Sequence, residues 1–185
     1  MKKSRAVELG LTIPLRRYLG IKALPYGQEP DRRFCWDLHV IPLRGRASLL
    51  AVHSFSRYTF VLYDLSPLDW GRLPEVFARG LEGSLAAAGC PSQAAQTLLE
   101  NGQFPLTRTH GRREVAFLNR AWEDVMDAEL ALDESQSAQP LLDRLVNAKL
   151  SRCAEAEGLG TATERLAEMF GPAPVPHGGS PKLIP

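Results

Sequence analysis

Three apolar runs constrain this chain more than any other feature: CWDLHVIPL (35–43), LLAVH (49–53) and YTFVLYDL (58–65). They are rich in β-branched, aromatic and leucine side chains and have the lengths of ordinary strands. The breaks between them, RGR around Gly45 and SFSR from Ser54 to Arg57, are short enough for hairpins. Strands joined this tightly pair antiparallel, so a β-meander is the economical topology. Residues 104–109, FPLTRT, supply a fourth strand.

Helical signals surround these runs. TIPLRRYLG (12–20) has Pro14 early and Gly20 at its end, which predicts a short helix. Residues 25–33, PYGQEPDRR, are loop. Ser66-Pro67-Leu68-Asp69 offers a hydroxyl cap, a proline in the first turn and an acid behind it. Pro74 restarts the helix, and Val76, Phe77, Leu81 and Leu85 form an apolar stripe that stops at Gly89. Ser92 caps a further short helix, which ends at Asn101-Gly102.

After a pivot at Gly111, Val115, Leu118, Trp122, Val125 and Met126 recur at helical steps and predict one buried face. Leu142, Leu145, Val146 and Leu150 repeat the pattern after Pro140, and Thr161 to Glu164 is a capping-box signature. The expected fold is therefore α+β: an antiparallel meander with an extra strand, helices packed on one side, and a helical C-terminal extension from about residue 138. Residues 1–170 should form one domain. From Gly171 the chain reads GPAPVPHGGSPKLIP, a composition expected of a flexible tail.

Composition narrows the function classes. Lys plus Arg (22) nearly balance Asp plus Glu (21), so no global field draws in a polyanion, and phosphate contacts would need a local patch. The apolar stretch at the N-terminus is interrupted by Glu8, Gly10, Pro14, Arg16 and Arg17, unlike a signal peptide. No run reaches the roughly 20 apolar residues of a membrane span. Cys35, Cys90 and Cys153 are odd in number and widely spaced, which argues against a disulfide framework and fits a cytoplasmic protein. These cysteines and His39, His53, His110 and His177 lack the spacings of a structural zinc site, so no metal is expected. GxxxxGK[ST] and GxGxxG are absent, and no cofactor is implied.

Two constellations carry candidate chemistry. Arg108, His110, Arg112 and Arg113 straddle the strand-to-helix turn at Gly111, where free N–H groups and the helix dipole favour an anion. Asn119 follows on the same helix. The plainer alternative is a solvated loop whose arginines pair with Glu114, Glu123 or Asp124. The second constellation is Asp37, His39 and His53, which the hairpin near Gly45 would bring together as an acid–imidazole pair. A one-residue change of register removes that pairing. The tryptophans, together with Phe55, Tyr58, Phe60 and Tyr63, could form a stacking surface, although their placement suits core packing better.

The succession TIPLRRYLG, the Trp36-led strand, LLAVHSFSRYTFVLYDL and RREVAFLNRAWED resembles a prokaryotic family, the domain of unknown function numbered 6933. The family pattern has T-x-x-L-x-x-x-L-G in a first helix, a Trp-initiated meander and a late R-x-V-x-x-x-N that opens a helix. Arg113, Val115 and Asn119 occupy the last of these. The resemblance covers about residues 10–130, with Ala116-Phe117 standing where a Leu-Gly step is usual. It implies a fold and a prokaryotic cytoplasmic setting, and it directs attention to Arg113 and Asn119.

The sequence thus leads to a non-enzymatic binding or regulatory module, engaging a protein partner or a small anion near Gly111. The alternative is a nucleic-acid-associated protein using Arg108, Arg112 and Arg113 on phosphates. An enzyme acting on a phosphorylated substrate stands third. No membrane association is expected.

Overall fold

The computed structural model describes residues 5–90, 92–100, 102–153 and 156–169. In chain order its elements are β1 (Glu8–Leu11), α1 (Ile13–Tyr18), β2 (Cys35–Leu43), β3 (Arg46–His53), β4 (Thr59–Leu62), α2 (Pro67–Trp70) and α3 (Leu73–Ala87). They continue as α4 (Ser92–Leu99), β5 (Leu106–Arg108), α5 (Arg112–Asp127), α6 (Pro140–Asn147), β6 (Ser151–Cys153), β7 (Ala156–Gly160) and α7 (Ala162–Met169).

The expected meander is present as β2, β3 and β4, paired antiparallel within a five-stranded sheet of order β4-β3-β2-β1-β5. Arg44 and Gly45 both have positive φ in the two-residue turn between β2 and β3, as a type I′ hairpin requires. β1, which the sequence reading did not recognise as a strand, lies between β2 and β5 and runs parallel to both. Four residues interrupted by Gly10 give almost no period-two signal. The hairpin β6-β7 was also unforeseen. The flexible-tail expectation concerns residues 171–185, which lie outside the described residues.

The sheet is covered on both faces, not on one as expected, because the strands are apolar at successive positions and not only at alternate ones. Trp36, Leu38, Leu49, Ala51 and Phe60 point to one face and pack under Val76, Phe77 and Leu81 of α3. Ile41, Leu43, Leu50, Val52 and Val61 point to the other, against Leu118, Ala121 and Val125 of α5 and Leu142 and Val146 of α6. On α5 the buried stripe is rotated from the expected one: Glu114 and Ala121 join Leu118 and Val125, while Trp122 is half-buried and Met126 exposed.

β4 is an edge strand, and its outer backbone groups are capped from α6 and the loop before it. Asn147 accepts from Thr59 N–H at 2.8 Å and donates to Thr59 C=O at 2.7 Å. Asp143 accepts from Val61 N–H at 3.0 Å, and the Ser137 carbonyl accepts from Tyr63 N–H at 2.8 Å. Successive outward-facing donors of the strand therefore meet fixed partners, which blunts its tendency to recruit another strand.

Candidate functional site

The α5 face of the sheet changes character along β2. Ile41 and Leu43 are apolar, whereas Cys35, Asp37 and His39 at the other end of the same face are polar and buried. The parallel register places Glu8 beside Cys35 and Gly10 beside Asp37. β5 then leads through Thr109 to His110, whose side chain enters this cluster from the turn before α5.

His110 is held between two carboxylates. Its Nδ1 lies 3.2 Å from each oxygen of Asp37, and its Nε2 lies 3.0 Å from Glu8 Oε2. The His110 backbone N–H and the Ser54 hydroxyl also donate to Asp37, each at 3.0 Å. Glu8 Oε1 accepts from the backbone N–H groups of Gln28 and Glu29 at 2.8 and 3.0 Å. Each acid is thus held by several hydrogen-bond donors. Burial alone would favour neutral imidazole, but the hydrogen bond that its Nδ1–H donates to Asp37, with the Cys35 sulfur and the charge of Asp37 behind it, raises the His110 pKa to about 10. The side chain is 2 % exposed, so an imidazolium is confined here by its partners.

Two glycines make room for this arrangement. A Cβ on Gly10 would lie 2.3 Å from Asp37 Oδ1 and 2.9 Å from the Thr109 backbone. A Cβ on Gly27 would lie 2.5 Å from Glu8 Oε2 and 3.1 Å from the His110 ring. The Cys35 thiol completes the cluster: one donor atom each from Glu8, Cys35 and His110 lie within 4.8 Å of one another. A thiolate, an imidazole and a carboxylate are the donor types that zinc-class ions accept. The three segments are far apart in sequence, so the local ligand spacings read from the sequence do not register this cluster.

The residues expected to bind an anion do not converge on an open site. His110 faces Asp37 and Glu8, and Arg108 stacks 4.4 Å over the Tyr26 ring while donating to the Leu24 carbonyl. Arg113 lies 3.2 Å from the buried Glu114 carboxylate, which Arg32 approaches from another side at 3.7 Å. Glu114 folds back over the first turn of α5, where a Cβ on Gly111 would meet Oε2 at 2.7 Å. The chain therefore supplies its own carboxylate at the position read as an anion site, while Arg112 and Asn119 face solvent.

The expected acid–imidazole pair also has a different partner. Trp36 is opposite His53 and Asp37 is opposite Val52, which puts Asp37 and His53 on opposite faces. His53 stacks on Trp36 at 4.7 Å, donates from Nε2 to the Arg33 carbonyl at 2.9 Å and pairs with Ser56 through Nδ1; burial pushes it down to about 4. His39 Nδ1 lies 2.7 Å from the Thr12 hydroxyl, and burial lowers its pKa too. Glu8, Cys35 and Gly10 were missed as site residues. A charge and a glycine inside VELGL, and an acid, Asp37, at an inward position of β2, were the available signals.

A family model, Domain of unknown function (DUF6933), matches residues 8–170. The chain belongs to this family. The match takes in every element that builds the cluster, from Glu8 to α5, and extends through α7. No curated protein and no solved structure matches the chain. Among the described residues, no helix is long and apolar enough to cross a membrane.

Proposed function

We propose that this DUF6933 domain is a non-catalytic metal-binding module in which Glu8, Cys35 and His110 hold a zinc-class divalent ion and Asp37 orients the imidazole. The observation that carries this reading is the convergence of carboxylate, thiol and imidazole donors within 4.8 Å, in the interior, from three separate segments. Tetrahedral ligands at about 2.0–2.3 Å from an ion stand roughly 3.3–3.8 Å apart, so small side-chain movements would close the set. Asp37 suits the role of an outer carboxylate: its contact with Nδ1 fixes the ring and leaves Nε2 toward Glu8. Binding would displace the protons on Nε2 and on the thiol.

Cys35 is fully buried and His110 nearly so, which favours a structural ion over one that presents a coordination position to substrate. Such an ion would fasten β1, β2 and the Gly111 turn, and thereby the start of α5. The thiols of Cys35 and Cys90 are unpaired, in keeping with a reducing cytoplasm.

The test is metal content of the purified full chain by elemental mass spectrometry, followed by cobalt titration of metal-stripped protein. One equivalent of metal and a thiolate-to-cobalt charge-transfer band are expected, both lost in Cys35→Ser and His110→Ala. A folded wild-type protein that retains no metal, shows no such band and gains no thermal stability from zinc would leave the cluster an ion-paired latch and refute the proposal.

A further inference from the structure

Side chains do not fill the space between α3 and α6. On α3 the walls of this space are Gly83, Ser84 and Ala87, and a Cβ on Gly83 would have nothing within 4 Å. Two cavities result, of about 310 and 140 Å³, which share Ser84, Ala87, Pro140 and Asp143. Between them stands a hydrogen-bonded bridge from helix to helix: the Ser84 hydroxyl lies 3.1 Å from Asp143 Oδ2 and 2.8 Å from the Tyr58 hydroxyl.

The two charges on these walls are left without counter-ions by the fold. Asp143 is 6 % exposed, and its carboxyl meets the Val61 N–H at 3.0 Å and the Ser84 hydroxyl. No cation among the described residues pairs with it, whereas a buried acid ordinarily has such a partner. Arg144, the next residue of α6, lines the larger cavity from an exposed position and makes no ion pair among the described residues. A carboxyl inside and a guanidinium at the mouth therefore face one cleft, whose volume is at the lower end of small-molecule sites. Burial holds Asp143 up at about 8, so at pH 7 the cleft keeps a proton that a cationic group could displace. The other titratable groups on the walls are Tyr58, pushed further up by burial, and Arg144.

We propose that this cleft binds a small apolar amino acid as its zwitterion, with the ammonium against Asp143 and Ser84 and the carboxylate on Arg144. An amine alone would leave Arg144 unanswered, and a simple carboxylate would leave Asp143 so. A molecule that carries both groups a few bonds apart answers both, and a guanidinium is suited to take a carboxylate with two parallel bonds. Ala87, Ala88 and Pro140 give the remaining wall an apolar surface for a short side chain. The inference uses no feature of the metal cluster, and its variants lie outside that cluster.

The test is isothermal titration of the full chain with alanine, valine, leucine and proline, and then with the amine and the carboxylic acid that correspond to the tightest binder. One of the amino acids should bind saturably, about tenfold or more tightly than either fragment, and should lose about tenfold or more in affinity in Asp143→Asn and in Arg144→Gln. Repeating the titration at pH 7 in buffers of different ionisation enthalpy should show release of about one proton. Ala87→Leu, at an exposed position on the walls of both cavities, should block binding. Circular dichroism melts identify loss of folding; Asp143→Asn keeps an acceptor for the Val61 N–H, and Arg144→Gln breaks no ion pair among the described residues. No binding by the wild type, unchanged affinity in folded Asp143→Asn or Arg144→Gln, or binding without proton release would overturn the proposal. Equal binding of either fragment would also overturn it, in favour of a site for a single charge.

Discussion

Replacing Gly10 with alanine tests the cluster more sharply than removing any of its charged members. The added Cβ would meet Asp37 Oδ1 at 2.3 Å, the Thr109 Cα at 2.9 Å and the Arg108 carbonyl at 3.0 Å. The carboxylate can rotate away, but the two backbone atoms belong to β5 and the turn that delivers His110. Overpacking of this kind costs about 1–3 kcal/mol. Moving Asp37 also strains its bonds to His110 and Ser54, and losing one charge-assisted bond costs about 1.5–3 kcal/mol. The expected destabilisation is therefore about 3–5 kcal/mol, a large share of a domain's usual stability. The control is Gly83→Ala in α3, where a Cβ has nothing within 4 Å and the helix should gain about 0.5–1 kcal/mol. Urea unfolding of the two variants should shift the midpoints in opposite directions. A Gly10→Ala protein within about 1 kcal/mol of wild type would mean that β1 and β5 yield freely, and the argument that Gly10 exists to admit Asp37 would fail.

Three further outcomes follow from the packing. Burial raises Asp143 to about 8 although Val61 N–H and the Ser84 hydroxyl favour its ionised form, so the folded protein holds this proton long after the unfolded chain, near 3.8, has released it. The stability this contributes is complete below about pH 4 and is lost as pH rises toward 8, at about 1.4 kcal/mol per unit as an upper bound; urea melts should show Asp143→Asn gaining on wild type over that range. Asn147→Ala leaves both backbone groups of Thr59 unpaired and should cost about 2–4 kcal/mol, with light scattering rising at high concentration as the β4 edge opens; unchanged scattering would argue against the capping role. Leu118→Ala, at a fully packed position on α5, should cost about 2–5 kcal/mol, and half-buried Trp122→Ala should cost less, an order that chemical denaturation can reverse or uphold.

The meander, the helix caps and most of the apolar stripes were legible in the sequence because each depends on neighbours within a few residues. Thr161 and Glu164 do exchange the reciprocal bonds that their spacing announces, and Ser66 with Asp69 does the same. The cluster was not legible for the opposite reason. Glu8, Cys35, Asp37 and His110 meet only because β1 inserts between β2 and β5, and a four-residue strand containing Gly10 carries almost no periodic signal. The same glycine that hides the strand is what the site requires, since any side chain there would occupy the place of the Asp37 carboxylate. The run RTHGRR was read as cations at a helix start that would engage an external anion. The fold answers those cations internally with Glu114, Asp37 and Glu8. Local sequence therefore revealed that charge had to be balanced at this turn, and only the long-range strand order determined which carboxylates balance it and that a thiol stands beside them.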